Sequence, residues 1–362
     1  MKLYLICGEP SGDLHSSNLI KAIKTLKPET QFRCWAGDET LKTGAEVVKH
    51  IRDLAFMGFV EVIANLPTIL KNISFCKADI LAYKPDALVL VDYPGFNLRI
   101  AKWAKEQGIK VIYYISPQVW AWKESRVKSI KQVVDKMLVI LPFEKEFYAK
   151  WDYHVSFVGH PLLDVVKDFH PKEVIRKTEK PLVALLPGSR QMEITKMLGI
   201  MLETTKMNPQ FDYVLAASST LPDEVFNEAR NLPNIQIVKG QTYSVLAQAD
   251  AALVTSGTAT LETALFQVPE VVCYKGNVIS YFIARSLIKI KYISLVNLIL
   301  DRPLVTELIQ HHLTPQKLSK ELNLLFDETT RSKMKQGYVE LKAMLGNEGA
   351  SARAAKEIIE FL

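Results

Sequence analysis

Cysteine is scarce: Cys7, Cys34, Cys76 and Cys273 are scattered through 362 residues and form no CxxC pair. That spacing supplies neither a disulfide framework nor a zinc-ligand pattern, and it fits reduced, buried thiols in a cytoplasmic protein. No run of eighteen uncharged apolar residues occurs, which argues against a membrane span. The chain opens directly on an apolar run at residues 2–7, so no secretory signal is read there. Charge of one sign is also in short supply. The net charge is +6, which suits anionic ligands or an anionic membrane surface but lacks the dense basic stripe of a nucleic-acid binder. The loop after the first strand, Gly8-Glu9-Pro10-Ser11-Gly12-Asp13, is not GxGxxG, so a dinucleotide fingerprint is missing. No DxD-like acidic cluster follows a plausible strand, so no metal and no cofactor is expected.

What is present points to a soluble α/β protein. Hydrophobic residues make up 48% and charged residues 23%, and the length suits two domains of ordinary size. The stretch around which the rest is organised is Pro181-Leu182-Val183-Ala184-Leu185-Leu186-Pro187-Gly188-Ser189-Arg190. Residues 182–186 form a short apolar run of the kind buried on both faces of a sheet. Pro187-Gly188-Ser189 ends it, and 191–207 reads as a helix. A strand, a tight turn and a helix collect free N–H groups and the positive end of a helix dipole, which suits a phosphate or diphosphate. Arg190 adds a guanidinium fork for phosphate oxygens. The same grammar recurs at 251–255, with Ser256-Gly257-Thr258 as the turn and Glu262 early in the following helix. Two such turns suit two strand ends of one parallel sheet flanking a nucleotide diphosphate, with Glu262 accepting from a ribose or sugar hydroxyl.

The first half has similar architecture. A strand at 2–7 leads through the Glu9 loop into a helix at 14–26, placing Glu9, Asp13 and His15 at a strand's C-terminal end, where open α/β sheets bind ligands. Asp13 also reads as a plain helix N-cap, whereas Glu9, standing before a proline, does not. Further βα units start at 87–91, 111–115 and 137–141, and a last strand at 155–158 runs into Gly159-His160-Pro161. Trp120, Trp122 and His160, each taken alone, read as structural. Residues 54–73 carry Met57, Phe59, Val60, Ile63, Leu66, Ile69 and Leu70 with few charges. They read either as a buried helix–turn–helix or as an apolar patch that enters a bilayer surface or grips an acyl chain. Residues 169–180 are polar and suit an interdomain linker. From 181 strands are expected near 182–186, 211–216, 235–238, 251–255 and 270–274, and helix dominates after about 313. Strands alternating with helices give doubly wound, mainly parallel sheets. Two Rossmann-like domains facing a cleft, with the phosphate turns in the second, form a GT-B plan.

A set of motifs then narrows the reading: GEPSGD at 8–13, MGFVEV at 57–62, KPD at 84–86, DYPGFN at 92–97, SPQVWAW at 116–122, LPFE at 141–144, GHPLLD at 159–164, LLPGSR at 185–190, TSGTATLE at 255–262 and KYISLVNLI at 291–299. Together, in order and over nearly the whole chain, they resemble the lipid-A-disaccharide synthase family. The resemblance implies an inverting, metal-independent transfer of 2,3-diacylglucosamine from its UDP derivative to 2,3-diacylglucosamine 1-phosphate, giving a β-1,6-linked disaccharide 1-phosphate and UDP. It implies an acceptor- and membrane-facing domain at 1–168, a UDP-sugar domain at 169–340, and a C-terminal helix at 341–362 packing back across the cleft.

Diphosphate is assigned to Gly188, Ser189 and Arg190. Thr255, Ser256, Gly257, Thr258, Ala259 and Thr260 line the nucleotide, with Glu262 on the ribose. Glu9 and Asn297 match family positions in the cleft. Some members carry an acid where this chain has Gly95, so the general base passes to Asp92, with Glu9 as the alternative. The acylated substrates make 54–73 a membrane or acyl surface, aided by basic residues at 123–131 and 285–291. The protein is then expected in the cytoplasm, peripheral to the inner membrane, with no nucleic-acid partner and with homo-oligomerisation left open. Same-fold alternatives are a UDP-HexNAc 2-epimerase or another UDP-sugar transferase. A different class is a non-catalytic, membrane-associated nucleotide-sugar sensor.

Overall fold

The computed structural model describes residues 1–54, 66–171, 175–219, 221–276 and 290–362. These form two compact units, Met1–Asp164 with Leu345–Leu362, and Val165–Met344.

In the first unit seven parallel strands form one sheet: β1 (Lys2–Ile6), β2 (Gln31–Ala36), β3 (Glu46–His50), β4 (Ala87–Val91), β5 (Lys110–Tyr114), β6 (Lys136–Val139) and β7 (Ser156–Phe157). Their order is β3-β2-β1-β4-β5-β6-β7. All five side chains of β4 are buried, as expected of a strand covered on both faces. Because β1 pairs with β2 on one side and β4 on the other, the winding reverses at β1/β4. A crevice outside the strand ends is expected at such a switch. The helix Pro10–Leu26 leaves β1 with proline at its first position, where no N–H is needed. It buries Leu19, Ile20 and Ile23.

Residues 345–362 complete this unit. The helix Ala350–Phe361 packs along Pro10–Leu26. Asp164 caps it, accepting from the N–H groups of Gly349 at 2.5 Å and Ser351 at 3.2 Å. Arg353 donates through Nε to the Val158 carbonyl at 2.8 Å. It lies so close to Gly159 (φ 83°) that an added Cβ would come within 2.5 Å of the guanidinium.

In the second unit six parallel strands, β8 (Leu182–Leu186), β9 (Asp212–Ala217), β10 (Ile235–Lys239), β11 (Ala251–Thr255), β12 (Glu270–Tyr274) and β13 (Thr306–Ile309), lie in the order β10-β9-β8-β11-β12-β13. Here the switch falls at β8, between β9 and β11. The polar segment after residue 168 is packed onto this unit. Phe169 meets the Tyr243 and Phe266 rings edge-on at 5.6 and 5.7 Å, and Arg176 pairs with Asp250 at 2.5 Å. Among the described residues no helix is long and apolar enough to cross a membrane.

Candidate functional site

The switch point of the first unit gathers Glu9 and Asp92. Glu9 follows β1 directly and is the residue ahead of the Pro10–Leu26 helix, yet its side chain makes no capping bond there. Asp92 follows β4 and, with Tyr93, adopts a left-handed backbone (φ 45° and 50°). Such a conformation is costly outside glycine and needs outside support. Asn97 supplies it, donating through Nδ2 to the Asp92 carbonyl at 2.7 Å and to the Ile6 and Val91 carbonyls at 3.3 Å. The Tyr113 hydroxyl donates to the same Asp92 carbonyl at 2.6 Å. Gly8 is needed for packing, since a Cβ there would lie 2.3 Å from the Tyr93 ring. Thus the Asp92 backbone is clamped through its carbonyl, while its carboxyl meets the Tyr93 N–H. Burial, and then repulsion from Glu9, push that carboxyl up to about 6. A carboxylate tuned this close to neutrality is suited to accept a proton from an alcohol.

Asp13 and His15, one turn further along, do something else. Asp13 is buried and accepts from the N–H groups of Gly37 (2.8 Å), Glu39 (2.9 Å) and Thr40 (3.1 Å). It caps the short helix Asp38–Leu41, not the helix that carries it. Burial holds His15 neutral, lowered to about 4, and lowers His160 to about 3 with a smaller push from His15. His160 Nδ1 accepts from the Leu162 N–H at 3.2 Å, a structural role. Trp120 is a core anchor, edge-on to Phe143 at 5.0 Å. Trp122 is not: its ring is 46% exposed, with the Lys123 ammonium and Arg126 guanidinium 4.9 and 5.0 Å from its centroid.

In the second unit the two turns sit on hydrogen-bonded neighbours, with Leu186 of β8 opposite Val254 of β11. Gly188, Ser189 and Arg190 therefore share one end of the sheet with Thr255, Ser256, Gly257 and Thr258. Gly188 has φ 121°. The helix Gln191–Met207 starts behind Arg190, aiming its positive end at this turn. A residue missed in the sequence, Glu193, reaches back and accepts from the N–H groups of Ser189 (3.1 Å) and Arg190 (3.3 Å). The signal for it was an acid in the first helical turn.

Beyond β11, the helix Thr258–Leu265 carries Ala259, Thr260 and Glu262. Thr260 donates its hydroxyl to the Gly257 carbonyl at 2.9 Å and so shapes the turn. Glu262 accepts from the Tyr243 hydroxyl at 2.8 Å, which fixes one oxygen, and burial raises its carboxyl above the usual range. Ser256 spends its hydroxyl on the Ile293 carbonyl at 2.9 Å, tying the turn to the loop ahead of helix Leu295–Leu300.

Asn297 lies in that helix, buried, with both ends of its amide engaged. Nδ2 donates to the Val305 carbonyl and to Glu307 at 2.9 Å, and Oδ1 accepts from the N–H groups of Leu304 (2.8 Å) and Val305 (2.9 Å). Glu307 in turn accepts from Ile293, Ser294 and the Ser294 hydroxyl. The geometry gives Asn297 a positioning role, holding the 293–297 loop against the start of β13. Beside this clasp is a pocket of about 380 Å³ lined by Tyr292, Asn297, Pro303 and Glu307 among others.

Of the apolar set, Ile69 is half-buried and Leu70 is exposed, both on the helix Leu66–Tyr83, which also exposes Phe75 and Leu81. Met57, Phe59, Val60 and Ile63 lie outside the described residues, and of Leu66 only its place at the helix start is described. Among the described residues no cluster of three or more His, Cys, Asp or Glu has the arrangement of a metal site.

The family model for lipid-A-disaccharide synthetase matches residues 3–360. The chain belongs to the lipid-A-disaccharide synthase family. The family member from Syntrophus aciditrophicus is 39% identical over 97% of this chain and 95% of its own length. That from Nitrosococcus oceani is 40% identical, over 99% and 95%. Like these synthases, the chain is a glycosyltransferase. Solved structures at low identity share its fold. The glycotransferase of kitacinnamycin matches with a TM-score of 0.67 at 17% identity, covering 100% of this chain and 99% of that one. UDP-GlcNAc 2-epimerase from Neisseria meningitidis, bound to UDP-GlcNAc, matches at 0.65 and 13%, with the same coverage. The synthase is therefore built on the GT-B plan that transferases and epimerases share, and the epimerase likeness extends to the fold alone.

Proposed function

We propose that the chain transfers 2,3-diacylglucosamine from UDP-2,3-diacylglucosamine to the 6-hydroxyl of 2,3-diacylglucosamine 1-phosphate, with inversion. The observation that carries this reading is the match to the synthase family over residues 3–360. The new bond joins the acceptor oxygen to the sugar's anomeric carbon as the bond from that carbon to the UDP oxygen breaks. Asp92, with its carboxyl raised to about 6, takes the hydroxyl proton. Burial keeps Asp92 basic, the neighbouring Glu9 carboxylate adds to it, and Glu9 is the alternative base. The electron pair leaves on the β-phosphate oxygen, where Arg190 and the N–H groups of Ser189 and Arg190 meet the charge. No metal is assigned to this step. Thr255 to Thr260 line the nucleotide and Glu262 accepts from the ribose.

Both substrates carry acyl chains, so the protein works at a bilayer surface, on the cytoplasmic face of the inner membrane. The exposed Leu70, Phe75 and Leu81 of helix Leu66–Tyr83 support that placement.

The test is UDP release from UDP-2,3-diacylglucosamine in detergent, with and without 2,3-diacylglucosamine 1-phosphate. Acceptor-dependent release with a disaccharide product is expected. UDP binding without acceptor-dependent release would overturn the transfer reading in favour of an epimerase or a sensor.

A further inference from the structure

The cradle assigned to the diphosphate is held by an anion that belongs to the protein. Glu193 Oε2 accepts from the Ser189 N–H at 3.1 Å and the Arg190 N–H at 3.3 Å. Its Oε1 lies 3.6 Å from the Arg190 guanidinium. The contact is close on a third side, because a Cβ on Gly188 would stand 2.5 Å from Oε2. One carboxylate thus takes the three features that mark an anion site: turn N–H groups, the positive end of the 17-residue helix Gln191–Met207, and an arginine.

A capping box accounts for part of this. In that motif the third helical residue bonds the cap residue's N–H. Glu193 does so, but it also takes the preceding N–H and the guanidinium, which the motif does not require. Each is a group that a diphosphate oxygen would use.

We propose that Glu193 is an internal stand-in for the donor diphosphate, a carboxylate that keeps the cradle formed and is displaced when UDP-sugar binds. It rests on the reading of this turn as the UDP site. Without it, unsatisfied N–H groups and an arginine would face one another with no anion between them. With it, the nucleotide's diphosphate must compete with one negative charge already in place. The binding free energy spent on displacing Glu193 is recovered when UDP leaves, because the carboxylate returns to the same donors. The residue therefore lowers affinity for the nucleotide and favours release of the product.

The test is titration of UDP and of uridine into the full chain by calorimetry, for wild type and for Glu193→Gln. Glutamine keeps an oxygen for the helix N–H groups and removes the charge. Glu193→Gln is expected to bind UDP about tenfold more tightly at low salt, with uridine affinity unchanged, because one like charge near the diphosphate is gone. Glu193→Asp, which keeps the charge and withdraws it by one methylene, should fall between the two. Circular dichroism establishes that each variant is folded. UDP affinity equal to or weaker than wild type in folded Glu193→Gln overturns the stand-in and leaves an ordinary helix cap. Failure of wild type itself to bind UDP overturns the assignment of the turn instead.

Discussion

Glu9→Gln tests the pairing of the two carboxylates at the first unit's switch point. Two causes raise Asp92, burial and then the charge of Glu9, taking it from 3.8 to about 6. If Asp92 must be ionised to take the acceptor proton, kcat/KM rises with pH through an acid limb near 6. A base with that value is about 90% ionised at pH 7 and about 9% at pH 5, so the rate at pH 5 should be about tenfold lower. Glutamine at position 9 removes the like charge and leaves the burial. The limb should then move below 6 without reaching 3.8, and the rate ratio between pH 7 and pH 5 should shrink, whatever the absolute rate. The assay is initial-rate UDP release between pH 4.5 and 8.5 in detergent at subsaturating acceptor. A limb that stays near 6 in Glu9→Gln, or moves up, would refute the coupling. A wild-type profile flat from pH 5 to 8 would refute Asp92 as the base. The sign for folding is opposite to that for catalysis. A carboxyl raised in the folded state contributes stability that is present below 3.8 and lost as pH rises through about 6. For Asp92 the loss approaches about 3 kcal/mol, at about 1.4 kcal/mol for each pH unit of displacement. Asp92→Asn should flatten that slope in urea melts at pH 4 and pH 7 while abolishing most transfer.

Arg190→Ala should lower kcat by about 10²–10³ while leaving the urea midpoint within experimental scatter, since the lost charge acts mainly as UDP departs; near-normal turnover would count against the diphosphate assignment. Asp13→Ala strands three N–H groups, those of Gly37 and Thr40 buried and that of Glu39 half-buried, and should cost about 3 kcal/mol in urea unfolding, with the acid limb of the pH profile unmoved in the folded protein. Asn297→Ala breaks both ends of the loop clasp and should cost about 2–3 kcal/mol, raising KM for the UDP-sugar as the 291–298 loop loosens. An unchanged KM in a folded Asn297→Ala would separate that loop from the donor.

Runs covered on both faces announced themselves. Residues 182–186, 251–255 and 270–274 carry unbroken or nearly unbroken apolar sequences, and the strands β8, β11 and β12 lie there. β2, β3 and β13 gave no such signal. QFRCWA and EVVKH mix charge with apolar groups because Arg33 pairs with Asp79 and Glu46, partners far away in the chain or across the sheet. TELI is a four-residue edge strand whose Glu307 is busy with the 293–297 loop. The basic residues at 123–131 are spread over a tight turn at Glu124–Arg126 and the helix Val127–Val133, behind the short helix Val119–Trp122. At the site, turn chemistry and strand ends made Gly188, Arg190 and Asp92 legible. Asn97 and Tyr113 were not, because the two donors that pin the Asp92 carbonyl act through contacts that no short motif encodes, and Glu193, an acid in the first helical turn, shows its further hold on the Ser189 N–H and the Arg190 guanidinium only in the fold. Asn297 was found by motif, but its role was not, since only the fold shows both ends of its amide already engaged.

The passage of the chain from the first unit into the second and back again sets an order of assembly. Residues 1–164 leave the ribosome before the second unit, yet Asp164, Val158 and the Pro10–Leu26 helix wait for partners at residues 349–361. The second unit, continuous from Val165 to Met344, has no such debt. The half of the enzyme made first is therefore the half finished last, and while synthesis runs the Pro10–Leu26 helix keeps an uncovered flank. Cutting the chain after Met344 should spare the unit Val165–Met344 and leave the other half without its closing helix.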